Sequence, residues 1–194
     1  MSPSNSEGID LPPIPQKHRV ILAPNSTVPE LQGQIPTAET FYQVAPLFAL
    51  EIYGPVCIAT IQPSPERQAV LTEFDIPVKT KSGLVIFDTG AGMSCIDESA
   101  ATEMLLPIVG TGRARGVNSE RQNVPVCSAQ LVLTTHDETQ VILPMSQAFA
   151  LPLRNQKLLA IIGRDIMKFG DLIYEGFFGR AFFNFTIYTF PEDA

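Results

Sequence analysis

LVIFDTGAG, residues 84–92, drives four apolar residues directly into a carboxylate, Asp88, and follows it with a hydroxyl, Thr89, and the small residues Gly90, Ala91 and Gly92. An acid at the end of an apolar strand is costly unless hydrogen bonds or a shared proton relieve it. Gly90 lets backbone approach the carboxylate closely enough for an N–H to donate to it, and Ala91 leaves space. The stretch therefore reads as a buried strand ending in a tight turn that holds one carboxylate rigidly at the floor of a cleft. If a second carboxylate lies beside it, the two cannot both ionise and the pair keeps one proton. One oxygen can then take a proton from water while its partner gives one to a peptide carbonyl.

The second acid has to be found. Aspartates stand at 10, 75, 88, 97, 137, 165, 171 and 193, and only Asp88 is followed by Thr or Ser and then Gly. A dyad can therefore come only from a second copy of the chain across a two-fold axis, so one motif per chain predicts a homodimer. A partial echo occurs further on, where the apolar run LLAII at 158–162 enters GRD at 163–165. Two passages of apolar strand, tight glycine turn and short helix suggest an internally pseudo-symmetric barrel whose halves cross near the middle.

LVIFDTGAGMSCID at 84–97 and LLAIIGRDIM at 158–167 together resemble the retropepsin-like aspartic proteases of the single-motif bacterial and cellular type. The family pattern is an apolar run, D-[TS]-G-A, a Ser or Thr three residues beyond the alanine, a flap hairpin, then a second apolar run and G-R-[DN]. The resemblance covers roughly residues 50–190. It implies a mostly β, closed retropepsin-like barrel with two short helices, one lobe per chain, and a homodimeric aspartic endopeptidase acting on peptides or proteins without cofactor or metal. Asp88 would be the catalytic carboxylate, one per subunit. Thr89 would brace the dyad across the dimer axis, and Gly90 would offer its backbone to the substrate. Ala91, Ser94, Gly163, Arg164 and Asp165 would support the active-site loop. Gly92 and Met93 would meet substrate, as would Gly116, Val117 and Asn118 at the flap tip, within RGVNSERQ at 115–122. In one respect the chain departs from the retroviral members: Gly92 stands where they carry an aspartate, so Arg164 must find another partner.

The rest of the chain is consistent with one domain and an extension. Its 194 residues suffice for a core, with 45% hydrophobic and 17% charged residues. A net charge of −7 argues against a broad basic surface for nucleic acid and points to neutral or cationic partners. Three cysteines, Cys57, Cys95 and Cys127, and two distant histidines, His18 and His136, match no zinc spacing and no disulfide framework. No signal peptide or run of eighteen apolar residues is present, so a cytoplasmic location without a membrane span is expected. Eight of seventeen prolines fall in the first fifty residues, so residues 1–45 read as a regulatory or disordered extension and 46–194 as the protease domain.

Expected elements are strands at 54–64 and 69–80, a turn at KSG 81–83, a helix over 97–105 capped by Asp97, hairpin-like stretches at 108–135 and 139–151 with HDE 136–138 as a turn, a helix from Arg164 stopping at Gly170, and a terminal hairpin with Phe183, Phe185 and Ile187 on one face. Three other readings of the motifs are weaker. FDTGAG resembles the turns of sugar-kinase and actin-like ATPases, which need longer chains and further phosphate loops. GTGRARG at 110–116 lacks the spacing and the βαβ unit of a dinucleotide site. A silent domain of the same fold, used for dimerisation or peptide binding, is the rival of a different class.

Overall fold

The computed structural model describes residues 14–22, 27–29, 41–43, 50, 54–116 and 120–189. Its strands are β1 (Ile14–Leu22), β2 (Thr27–Pro29), β3 (Phe41–Gln43), β4 (Val56–Gln62), β5 (Lys81–Phe87), β6 (Cys95–Asp97), β7 (Ile108–Arg115), β8 (Glu120–Thr134), β9 (Gln140–Leu151), β10 (Ala160–Ile162), β11 (Gly170–Glu175) and β12 (Arg180–Thr189). Three helices accompany them among the described residues: α1 (Pro65–Glu73), α2 (Glu98–Glu103) and α3 (Arg164–Met167). The molecule is thus mostly β with few short helices.

Strands β4, β5, β10, β6, β9 and β8 pair in that order, and β8 returns to β4 through Thr60–Gln62 to close a six-stranded barrel. β7 extends this sheet as an antiparallel partner of β8. β10 lies parallel to β5 with Ile162 beside Phe87, so the loops that follow the two strands leave the barrel side by side. The echo between DTG and GRD in the sequence is therefore a spatial neighbourhood. Inside the barrel Ile61, Leu131, Leu133, Met145, Ile96 and Ile162 are fully buried. A smaller sheet, in the order β1-β12-β11, packs outside. Its Phe183 ring lies 5.1 Å from that of Phe87 and 5.7 Å from that of Phe185, which anchors it beneath the residue that precedes Asp88.

Several expectations are met: the hairpins β7–β8, β8–β9 and β11–β12, the turn at His136, and α2 with Asp97 as its cap. Phe183 and Phe185 share a buried face, whereas the side chain of Ile187 lies outside the described residues. Two expectations need correction. The stretch 69–80, expected as a strand, belongs in its first part to a helix that was not expected. Pro65 stands at the first turn, where its missing N–H costs nothing, and Ser64 caps the helix by accepting from the Arg67 N–H at 3.4 Å. The prolines at 63 and 65 follow the end of β4, and the second of them also starts a helix. KSG is no turn either; it pairs with β4, Ser82 opposite Thr60 and Gly83 opposite Ala59.

Part of the 1–45 stretch is built into the fold. β1 pairs with β12 from Ile14 opposite Thr189 to Leu22 opposite Ala181, and Val20 and Leu22 are buried. It lies at a sheet edge, a position that accommodates Pro15.

Candidate active site

Asp88 stands where β5 ends, half-buried, with its own N–H donating to the Ile162 carbonyl at 3.0 Å. The loop turns tightly: the Ala91 N–H donates to the Asp88 carbonyl at 3.1 Å, and the Gly90 N–H donates to Asp88 Oδ1 at 2.8 Å. A β-carbon at position 90 would lie 3.1 Å from that oxygen, so a larger residue would crowd the carboxylate. Thr89, Gly90 and Gly92 are exposed beside it, and Ala91 and Met93 are half-buried.

The loop is locked to the start of α3. Ser94, fully buried, donates from Oγ to Asp165 Oδ1 at 2.8 Å and accepts from the Gly163 N–H at 3.0 Å. The Arg164 N–H donates to the Ala91 carbonyl at 3.0 Å, and its Nη1 donates to the Thr89 carbonyl at 2.6 Å. That carbonyl is the partner Arg164 finds in a chain with Gly92 at the departing position. Gly163 lies so close to Met93 that a β-carbon there would come within 2.7 Å of the Met93 carbonyl carbon. Residues 88–94 and 163–165 thus form one interlocked unit.

Above Asp88 opens a cleft of about 780 Å³. Its floor is the loop from Asp88 to Met93 with Cys95 and Ile161; its far wall is Phe149, Leu151, Pro152, Leu153 and Gln156. The β7–β8 hairpin closes it with Arg113, Ala114, Arg115, Gly116 and Arg121. Gly116 therefore lines the cleft, while Val117 and Asn118 lie outside the described residues. Gly112 sits against Phe149, its missing β-carbon 2.7 Å from Cε1, which lets the base of the hairpin rest on the wall.

The wall is fastened from behind by Asp97, a buried carboxylate spanning two elements. Its Oδ1 caps α2, accepting from the N–H groups of Ser99 (3.2 Å) and Ala100 (3.1 Å) and from Ser99 Oγ. Its Oδ2 accepts from the N–H groups of Leu153 (3.1 Å) and Arg154 (2.9 Å). Asp97→Ala leaves four backbone donors without this acceptor and is expected to cost about 2–4 kcal/mol, combining cap loss with unpaired buried groups. Thermal unfolding measures it; a loss no larger than that of an ordinary surface substitution would show that the wall stands without Asp97.

The cysteines are free and buried. Burial, followed by the nearby carboxylates of Asp165 and Asp88, pushes the Cys95 thiol up to about 11. Burial alone takes Cys57 to about 12 from its ordinary 9.0. Because these pKa values are raised on folding, the stability tied to the neutral thiols is full below about pH 9 and is lost as pH climbs towards 11–12. Native protein at pH 8 should thus resist alkylation at both positions until denaturant is added, and Cys57→Ala should flatten the alkaline fall in melting temperature. Rapid native labelling of Cys57 would contradict this. Cys95 is a small, buried part of the floor.

Several contributors escape sequence reasoning. Arg113, Arg115 and Arg121 carry a signal, the alternation R-x-R in a hairpin, that becomes informative only when the hairpin is known to overhang a cleft. Phe149 and Leu151–Leu153 read as ordinary strand. His136 is exposed in its turn and is not among the residues that line the cleft. Among the described residues no group of three or more His, Cys, Asp or Glu could hold a metal ion, and no helix is long and apolar enough to cross a membrane.

Neither a family model nor a curated protein matches the chain. Among solved structures, the crystal structure of a retropepsin-like aspartic protease from Rickettsia conorii is similar in fold, at 10% sequence identity and a TM-score of 0.47, over 91% of this chain and 97% of the other.

Proposed function

We propose that the chain is an aspartic endopeptidase that works as a homodimer, with Asp88 from each copy sharing one proton and activating the attacking water. One observation carries this reading: among the described residues Asp88 is the single carboxylate lining the cleft, held by the Gly90 N–H on a loop that is itself locked to α3. A lone rigid carboxylate beside the exposed residues Thr89, Gly90 and Gly92 is half of a dyad that a second copy would complete. In the pair, the ionised Asp88 takes a proton from water as it attacks the scissile carbonyl, and the protonated Asp88 donates to the carbonyl oxygen. The amine leaves after proton return from the dyad, with no covalent intermediate.

The remaining roles follow from position. Ser94, Gly163, Arg164 and Asp165 keep the loop from yielding, Thr89 braces the dyad across the axis, and Ala91 leaves the carboxylate room. Gly92 and Met93 line the substrate path. The β7–β8 hairpin, with Gly116, Val117 and Asn118 towards its tip, acts as the flap over a peptide held as an added strand. Residues 46–194 are the protease domain, with 1–45 as an extension whose β1 supports it.

The test is cleavage of a peptide library, first by the wild type and then by wild-type chains refolded together with an equal amount of Asp88→Ala chains. If every active site needs two intact copies, turnover at constant wild-type concentration falls to about half, because half the wild-type chains now sit in mixed dimers. Unchanged turnover would mean that one copy suffices and would remove the shared dyad.

A further inference from the structure

The charged side chains lining the cleft are out of balance: three arginines, Arg113, Arg115 and Arg121, against the single Asp88. This is unexpected in a chain of net charge −7, whose overall balance points to neutral or cationic partners. Arg113 Nε and Arg115 Nη2 share one carboxylate, Glu120, at 3.2 and 3.3 Å, in pairs exposed enough to be weak and readily exchanged. Arg121, opposite Ala114 in the hairpin register and so on the other face from Arg115 and Glu120, has no carboxylate within ion-pair distance among the described residues. Below the arginines the surface is apolar, with Phe149, Leu151, Leu153 and Ile161.

We infer that the cleft is built for an acidic peptide, one whose side chains alternate between apolar and carboxylate. The inference rests on the peptidase reading of the same cleft and specifies its substrate class. An extended peptide sends successive side chains to opposite sides. Alternate residues of a bound strand therefore meet the apolar wall and floor, while those between them meet the hairpin, where Arg121 is the guanidinium not already shared with Glu120. A planar guanidinium takes a carboxylate through paired N–H donors, a stronger bond than one between neutral groups. The chain's remaining negative charge does not cancel this. At physiological salt, charges beyond about 8 Å are largely screened, whereas the arginines act at contact. A nucleic acid or polyphosphate would satisfy the arginines but brings no side chains for Phe149 and Leu151, so the peptide is the better fit.

Binding tests this without depending on turnover. The full chain carrying Asp88→Asn is titrated with fluorescent octapeptides in which Phe or Leu alternates with Glu, with Gln or with Lys. The Glu peptide should bind about tenfold tighter than the Gln peptide, as a bond to a charged group predicts. That margin should shrink in 0.5 M salt, disappear in Arg121→Gln, and reverse towards the Lys peptide in Arg121→Glu. Equal binding of all three peptides, a preference for Lys, or failure of both Arg121 variants to move the ratio overturns the inference. A short single-stranded oligonucleotide that binds as tightly as the Glu peptide overturns it in favour of a general polyanion groove. Library cleavage by the wild type reports separately on the activity. Selective binding without cleavage removes the peptidase and keeps the acidic-peptide site; cleavage without acidic preference does the reverse.

Discussion

Asp88→Asn is expected to reduce peptide turnover by about a thousandfold or more, within the range that a positioned acid–base group supplies, while the folded barrel survives. The amide has the shape of the carboxylate, and its oxygen can still accept the Gly90 N–H that Asp88 Oδ1 accepts at 2.8 Å. The side chain is half-exposed, so little burial energy is at stake. What disappears is the ability to take a proton from water. Melting temperature and turnover, measured on the same preparation, separate the two effects. Wild-type activity in the variant would remove the peptidase assignment and leave a silent domain that binds peptides or dimerises. The pH profile supplies an independent check. A pair sharing one proton works while one member stays protonated, so the wild-type rate should be highest at acid to mildly acidic pH. A rate rising steadily through pH 9 is incompatible with that chemistry.

Gly163→Ala is expected to damage both stability and turnover, for a different reason. The residue has φ −93° and ψ −177°, which alanine adopts freely, so backbone preference is not at issue. The obstacle is space. The added methyl would lie 2.7 Å from the Met93 carbonyl carbon, 3.0 Å from its oxygen and 2.9 Å from Asp165 Oδ1. Two of these neighbours are backbone and cannot rotate aside, so the loop carrying Asp88 must move. Overpacking of this kind costs about 1–3 kcal/mol. A shift of the loop should also lower turnover by at least about tenfold, because the proposed dyad depends on close alignment. Gly92→Ala is the matched control. Its methyl would meet Arg164 Nη2 at 3.5 Å, an ordinary contact, and should change melting temperature little. If Gly163→Ala melts like Gly92→Ala, the two loops do not interlock.

The barrel and the place of Asp88 were legible because both rest on local signals. LVIF and LLAII are apolar throughout, as strands buried on both faces must be, and each runs into a glycine turn that the structure places at one end of the barrel. Asp97 could be read as a helix cap for the same reason, since its first partners are two and three residues away. Its second role could not, because Leu153 and Arg154 lie 56 and 57 residues further on and announce nothing. α1 was hidden by a rule applied in one direction only: a proline that ends a strand can also open a helix. Sequence alone assigns no role to the three arginines of the cleft, because only the fold of β7 over β9 brings them to it. β1 was masked by the prolines around it. They exclude a central strand, and the strand it forms is an edge.

That edge has a bearing on how the molecule comes together. β1 begins at residue 14 and finds its hydrogen-bonding mate in a strand that ends at residue 189, so during synthesis it must wait until that distant partner has been made. Until then Val20 and Leu22 have nowhere to go, and the strand is an open template for any extended chain nearby. The many prolines of this stretch, which make it a poor template, therefore guard the nascent polypeptide through the interval before its last strand arrives.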